Sequence, residues 1–198
     1  MKVTLFDYGA GNLHSLAKAL MLGGAQVRIE PDPKRCLDGD ALVLPGVGAF
    51  GHAAERLAPG LSEVRRALKD GLPCLGICLG MQLLFDASEE GEGQGLGVIS
   101  GRVTRVRAER VPQIGWNALE RPSDVLFERA PLRYAYYANS FVCRPQDAKH
   151  VIAWSHHEGD EFPAAVRAGN TYGFQFHPEK SSGAGLLLVK AFLDGVKK

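Results

Sequence analysis

The stretch "LGICLGMQLLF" at residues 75–85 places a cysteine between two glycines, where an apolar strand pattern runs into an apolar helix pattern. Gly76 and Gly80 flank Cys78 with the spacing of a G-x-S-x-G strand-to-helix turn, in which small neighbours make room for a strained nucleophile. A thiol at that turn would lie at a helix N-terminus, where the helix dipole favours the thiolate. By itself the stretch leaves two interpretations open: a reactive nucleophile, or a free cysteine packed as a small hydrophobic residue.

The first half of the chain alternates strand patterns with helix patterns. The strands predicted there are "VTLF", "QVRI", "ALVLP" and "PCLGI", and helical spacing covers about residues 61–68 and begins again at or near Cys78. Such alternation predicts an α/β fold with a central, mostly parallel sheet and helices on both faces. From about residue 96 the sequence shows short strand patterns separated by turns, which predict extra antiparallel strands in the second half. A helix pattern ends the chain. Because we find no repeat or linker, we expect one domain over residues 1–198.

Composition and charge argue against several classes of partner. The 198 residues carry a net charge of +1, so no overall field would attract nucleic acid or an anionic membrane. No apolar stretch reaches the ~18 residues of a membrane span, and the N-terminus lacks a signal-peptide core, so we expect a cytoplasmic protein. The four cysteines lack C-x-x-C spacing, which predicts reduced thiols without a zinc site. His156 and His157 have no third ligand at useful spacing, and we expect them in a solvated hairpin.

A base for the cysteine is available in "FQFHPEK", near the end of the last predicted strand. His177 could take and return a proton, and Glu179, two positions on, would project to the same side and orient the imidazole. Pro178 between them fixes the local backbone. An isolated H-P-E is more often a surface turn, but the pairing with "GICLG" favours a catalytic triad.

The loop "LPGVGAF" after the third strand is a candidate oxyanion hole. Gly46 and Gly48 free the backbone, so that the amide of Val47 could point at a developing negative charge beside the amide of Leu79. One such donor lowers a barrier by ~3 kcal/mol.

Two sequence features also suggest other functions. "GVGAFG" matches the G-x-G-x-x-G of nicotinamide-dependent oxidoreductases, but Pro45 precedes it and Pro59-Gly60 shortens the helix that should receive the pyrophosphate. The second alternative is a redox-sensing thiol at Cys78 in a flavodoxin-like binding protein.

Three motifs together carry a family resemblance: "GICLGMQLLF", "FQFHPEKS" and "PGVGAF". With them the chain resembles the class I, triad-type glutamine amidotransferases, whose fold is flavodoxin-like. "DYGAGN" at residues 7–12 and "VPQIGWN" at residues 111–117 narrow the resemblance to glutaminase subunits that serve histidine biosynthesis. The resemblance extends over the whole chain.

The resemblance implies roles for individual residues. Cys78 matches the family nucleophile, His177 the general base and acid, and Glu179 the carboxylate that orients the histidine. The residues implied to hold the substrate glutamine are Gly48, Gln82, Glu90, Ser140 and Phe141. Without the resemblance, Glu90 reads as part of a solvated acidic loop and Gln82 as a helix-surface amide. The family commonly has histidine in place of Asn139 and tyrosine in place of Phe141.

The implied partner is a separate (β/α)₈-barrel cyclase subunit that receives the ammonia. Asn12, Trp116, Tyr136 and Lys180 match family positions at that interface, although by pattern alone Trp116 and Tyr136 could equally be core residues. Neither a cofactor nor a metal is implied.

Overall fold

A seven-stranded sheet forms the centre of the structure, a computed structural model that describes residues 1–9 and 13–196. The strands are β1 (Lys2–Phe6), β2 (Gln26–Glu30), β3 (Ala41–Leu44), β4 (Cys74–Ile77), β5 (Ala87–Ser88), β6 (Gly101–Arg105), β7 (Gln113–Ala118), β8 (Tyr134–Asn139), β9 (Phe141–Pro145), β10 (Val151–His157), β11 (Asp160–Ala168) and β12 (Thr171–Phe174). The α-helices are α1 (His14–Leu22), α2 (Phe50–Leu57), α3 (Leu61–Lys69), α4 (Leu79–Gln82), α5 (Val125–Arg129) and α6 (Ser182–Val196). Among the described residues, no helix combines the length and apolar character needed to cross a membrane.

The central sheet has the strand order β10-β11-β12-β4-β3-β1-β2. The strands from β12 to β2 are parallel to their neighbours, whereas β11 and β10 extend the sheet antiparallel. The prediction of a mostly parallel sheet with antiparallel additions in the second half is therefore confirmed. Two smaller sheets, β5-β6-β9 and β7-β8, hold the remaining strands. The predicted strand "YAYYANSFVC" is broken at Ser140 into β8 and β9.

Side chains of the central strands alternate between the two faces of the sheet, and each face carries one hydrophobic core. Leu5 and Val43 point into the core that α1 and α6 cover, while Phe6 and Leu44 point into the core that α2 and α3 cover. Burying a side chain of this size stabilises the fold by about 1.5–3 kcal/mol. This arrangement confirms helices on both faces of the sheet.

The carboxyl ends of three adjacent strands, β3, β4 and β12, meet at one edge of the sheet. The segments that leave this edge are residues 45–48 after β3, Cys78 after β4, and residues 175–177 after β12. Loops at the carboxyl ends of parallel strands are where α/β folds place their binding sites. The sheet order thus brings together segments far apart in the chain.

Helix α4 starts directly after Cys78 and packs tightly on the sheet. A Cβ on Gly80 would overlap the backbone oxygen of Leu44, and a Cβ on Gly76 would lie 2.5 Å from the backbone oxygen of Gly80. These close approaches explain why glycines flank the cysteine. The helix itself has a single turn, so the dipole expected to favour the thiolate is smaller than the sequence suggested.

Candidate active site

Cys78 lies on a strained turn between β4 and α4. Its backbone has φ +46° and ψ −105°, a conformation that costs a residue other than glycine about 1–3 kcal/mol. The N–H of Cys78 donates to the backbone oxygen of Phe174 at 2.6 Å, which fixes the turn to the end of β12. The side chain is nearly buried, and all four cysteines are free.

His177 is held from both sides by backbone contacts. Its N–H donates to the backbone oxygen of Tyr136 at 2.8 Å, and its own carbonyl accepts from the Ser181 hydroxyl at 2.7 Å. The Nδ1 atom lies 2.8 Å from Oε1 of Glu179, which belongs to the short helical turn Pro178–Lys180 directly after the histidine. Both side chains are more than nine-tenths buried, so this pair is not the surface turn that an isolated H-P-E suggests.

The side chains of Cys78 and His177 are hydrogen-bonded to each other, and Gly46 packs against both residues. A Cβ built on Gly46 would lie 2.9 Å from Cε1 of His177 and 3.0 Å from Cβ of Cys78. A side chain at position 46 would therefore clash with both residues. The three residues proposed as a triad from the sequence come together in one place.

The pKa of His177 is strongly perturbed. Burial lowers it, but hydrogen bonds with Cys78 and Glu179 and the charges of the same two groups outweigh burial and raise the pKa from 6.5 to about 10. At neutral pH the imidazole is therefore protonated and faces the sulfur as a cation. Because the pKa is raised, this protonation stabilises the folded chain fully below pH 6.5, and the contribution disappears as pH rises through about 10.

A cavity of about 180 Å³ opens beside the sulfur. Residues lining it include Cys78, Leu79 and every residue that the sequence suggested for glutamine: Gly48, Gln82, Glu90, Ser140 and Phe141. Val47, the other oxyanion candidate, lines a neighbouring cavity with Glu179 and Lys180 instead. The loop that holds Val47 and Gly48 thus separates the two cavities, and Gly48 has φ +112°.

The polar groups of this cavity are tied to its walls. Gln82 is buried rather than on a helix surface, and its Nε2 donates to the backbone oxygen of Phe141 at 3.1 Å. Asn139 donates to the same oxygen, also at 3.1 Å, so this departure from the family pattern lies in the pocket wall. Oε2 of Glu90 accepts from the N–H of Phe50 at 2.9 Å and so holds the first turn of α2, directly after the loop at residues 45–48.

The exposed side of the β7-β8 sheet carries large apolar groups. Trp116 is 56% exposed and meets Tyr136 edge to face at 6.3 Å between ring centroids, with Nζ of Lys180 at 5.8 Å from the Tyr136 ring. Strand alternation puts Ile114, 67% exposed, and Tyr134, 61% exposed, on the same side, although sequence reasoning did not single them out. We call these five residues the aromatic face. Asn12, also predicted at an interface, lies outside the described residues.

Two further residues of the site were missed from the sequence. Nε2 of Gln175 lies 3.6 Å from Sγ of Cys78, and the Ser181 hydroxyl accepts from the N–H of Tyr136 while donating to His177. In "FQFH" the two phenylalanines alternate with Gln175 and His177, and because both phenylalanines pack in the core, the polar pair points the other way just after β12. That alternation was the available signal for Gln175.

The family comparison agrees with this geometry. The model of the class-I glutamine amidotransferase family matches residues 4–194. The chain therefore belongs to this family of enzymes, which decides against a nicotinamide-dependent oxidoreductase.

Relatives with curated names narrow the family further. The chain is 46% identical to the imidazole glycerol phosphate synthase subunit HisH of Thermus thermophilus, over 96% of this chain and 95% of that protein. It is 42% identical to the subunit of the same name in Halobacterium salinarum, over 97% of this chain and 92% of that protein. By this identity over nearly its whole length, the chain belongs with the HisH subunits.

Solved structures share the fold at lower sequence identity. A crystal structure described as a glutamine amidotransferase superposes with a TM-score of 0.76 at 22% identity over 99% of both chains. A structure of PurLQS from Thermotoga maritima gives a TM-score of 0.75 at 20% identity over 98% of both chains. At these identities the likeness concerns the fold alone.

The contact between Glu179 and His177 predicts a shift in the titration of the histidine. In a Glu179→Gln variant the ring loses a charged partner, so its pKa should fall below the wild-type value of about 10. An NMR titration of the imidazole measures this directly. Glu161→Gln is the matched control, because Glu161 contacts His156 instead. An unchanged His177 titration in Glu179→Gln would refute the assigned contact.

Proposed function

We propose that Cys78, His177 and Glu179 hydrolyse the side-chain amide of glutamine, which makes this chain the glutaminase subunit of an imidazole glycerol phosphate synthase in histidine biosynthesis. The observation that carries the proposal is the buried contact of the sulfur with a protonated imidazole that Glu179 holds from behind. A cysteine activated by a histidine is the standard means of attacking an amide carbon without a metal.

The chemistry follows from the positions of the three groups. The thiolate of Cys78 attacks the amide carbon, and His177 gives its proton to the nitrogen as the carbon–nitrogen bond breaks and ammonia leaves. Water then attacks the γ-glutamyl thioester, His177 takes a proton from it, and the carbon–sulfur bond breaks to release glutamate and the thiolate. The raised pKa of His177 suits the first step, in which it must act as an acid.

An oxyanion forms in both steps and requires donors. The amides of Leu79 and Val47 are our candidates, each lowering the barrier by ~3 kcal/mol when correctly aimed. Leu79 lines the glutamine cavity, whereas Val47 lines the cavity on the other side of the loop. We therefore expect the Val47–Gly48 peptide to reorient before the hole is complete, which would keep the isolated chain weakly active.

The head group of glutamine would be held on the cavity wall. Gln82 presents an amide and Glu90 a carboxylate, which suits the α-ammonium group of the substrate. Gly48, Ser140 and Phe141 line the same cavity, and Phe141 is bonded through its backbone oxygen to Gln82. The redox-sensing alternative gives no reason for this set of groups beside the sulfur.

Ammonia must reach its acceptor without becoming ammonium in bulk water, because ammonium is not a nucleophile. We infer that the cyclase subunit HisF, a (β/α)₈ barrel, docks on the aromatic face and receives it. Clustered exposed aromatic residues are typical of a binding hot spot. The aromatic face also touches the catalytic turn, because the backbone oxygen of Tyr136 accepts from the N–H of His177.

Cys78→Ala tests the proposed function. Without the sulfur, glutamate release in the presence of the cyclase should fall by about 10⁴-fold or more. Cys74→Ala is the matched control, because Cys74 is a buried cysteine of the same strand, and it should retain activity. A Cys78→Ala variant that still hydrolyses glutamine would contradict the proposal.

Covalent modification by a glutamine-like chloroketone is a second test of the proposed function. It should modify Cys78, and free glutamine should protect the thiol in proportion to its concentration. A redox-sensing thiol would react without protection by glutamine.

Trp116→Ala tests the docking surface. We expect the Kd for the cyclase to rise about tenfold or more, and the stimulation of glutaminase activity by the cyclase to fall with it. The weak activity of the isolated chain should not change. Leu187→Ala is the control, since Leu187 is a similarly exposed residue on α6 outside the aromatic face. Equal affinity in Trp116→Ala and wild type would place the interface elsewhere, and equal activity with and without cyclase would exclude activation.

A further inference from the structure

The side chain of Gln175 is buried against the nucleophile without an ordinary hydrogen-bond partner. It is 0% exposed, its Nε2 lies 3.6 Å from Sγ of Cys78, and its Oε1 has no partner in the part of the chain that the structure describes. Burying an amide costs free energy unless its polar atoms are satisfied. A neutral thiol is a weak acceptor, so this contact does not explain why the fold keeps an amide here.

The backbone fixes Gln175 relative to the sulfur. The N–H of Gln175 donates to the backbone oxygen of Ala164 at 2.9 Å, continuing the ladder between β11 and β12. The preceding residue, Phe174, accepts from the N–H of Cys78 at 2.6 Å. The amide of Gln175 therefore approaches the sulfur from the segment that follows β12 and also carries His177.

The surroundings of the sulfur distinguish its two charge states. A neutral thiol can donate to the backbone oxygen of Ala138, which lies 3.9 Å away. A thiolate has no proton to donate and instead accepts from N–H groups, and such charge-assisted bonds are about twice as strong as neutral ones. Nε2 of Gln175 and the imidazole of His177 are donors of this kind.

We propose that Gln175 is a further catalytic residue, whose Nε2–H donates to the Cys78 thiolate and stabilises the charged sulfur beside the His177 imidazolium. The proposal rests on the proposed function, in which Cys78 is the nucleophile. The same bond assists when the thioester breaks down, because the electron pair of the carbon–sulfur bond passes to the sulfur as water attacks the carbon. The donor is then present where negative charge develops.

Several titratable groups lie near the sulfur and contribute to the pH dependence of its reactivity. His177 faces the sulfur from the segment after β12, Glu179 is bonded to Nδ1 of that ring, and Glu90 lines the same cavity as Cys78. From β9, Cys143 contributes a thiol whose pKa burial raises well above its usual range, so that it stays neutral. Gln175 does not titrate, so substituting it changes the hydrogen bond without removing one of these charges.

The test compares Gln175→Leu and Gln175→Glu with wild type in the full chain. The first readout is the rate at which iodoacetamide alkylates Cys78 as a function of pH, with the modified peptide identified by mass spectrometry. The second is kcat and KM for glutamine hydrolysis with the cyclase. Thr171→Val is the matched control, because it removes a buried, unpartnered hydroxyl from the same strand as the Gln175 segment.

We expect alkylation of Gln175→Leu to move to higher pH by about one unit, and kcat to fall about tenfold with KM nearly unchanged. Gln175→Glu preserves the side-chain size if Gln175→Leu does not fold, and it should move alkylation at least as far, because a carboxylate cannot donate to the thiolate and also repels it. Thr171→Val should match wild type in both readouts.

A wild-type alkylation profile in the folded Gln175 variants would overturn the proposal, even if kcat fell, because a structural role alone would leave the thiolate unaffected. Wild-type chain that releases no glutamate would instead refute the proposed function. The alkylation profile would still measure the contact between Gln175 and the sulfur in that case.

Discussion

The contact between the Cys78 sulfur and the His177 imidazole is the interaction on which the rest of the site depends. Both groups are nearly buried, where an unpaired charge is costly, so the thiolate that the proposed chemistry requires is stable only beside the imidazolium. The surrounding structure maintains that pairing. The turn at Cys78 is bonded to the end of β12, and Glu179 and Ser181 fix the ring and the backbone of the histidine. The strain at Cys78 is thus balanced by contacts from a neighbouring strand.

The loop at residues 45–48 connects this pair to the remainder of the function. Gly46 packs against both Cys78 and His177, Val47 lines the cavity beside Lys180, and Gly48 lines the cavity beside the sulfur. Glu90 holds the start of α2 just after the loop. The proposed substrate cavity, the contact between Cys78 and His177, and the proposed docking surface therefore border one short segment. A change in its backbone would act on all three, which is why we place the response to the cyclase there.

Much of this arrangement could be predicted from the sequence, because strand–helix alternation and the glycine-flanked cysteine are local patterns. Cys78, His177 and Glu179 could be proposed as a triad because the H-P-E motif follows the last predicted strand. Other features depend on contacts between distant segments, including the bond from Phe50 to Glu90 and the burial of Gln82. The single turn of α4 was missed because apolar residues continue after Gln82 without a helix-breaking residue. The place of Ile114 and Tyr134 on the aromatic face depends on the pairing of β7 with β8, which the sequence does not specify.

The most direct measurement of the central claim is the ultraviolet absorbance of the thiolate, taken as the difference between wild type and Cys78→Ala at neutral pH. The account predicts the absorbance of one thiolate in the wild type and its disappearance in His177→Ala, because the sulfur then loses its cation. No difference between wild type and Cys78→Ala, or a signal that persists in His177→Ala, would contradict the ion pair.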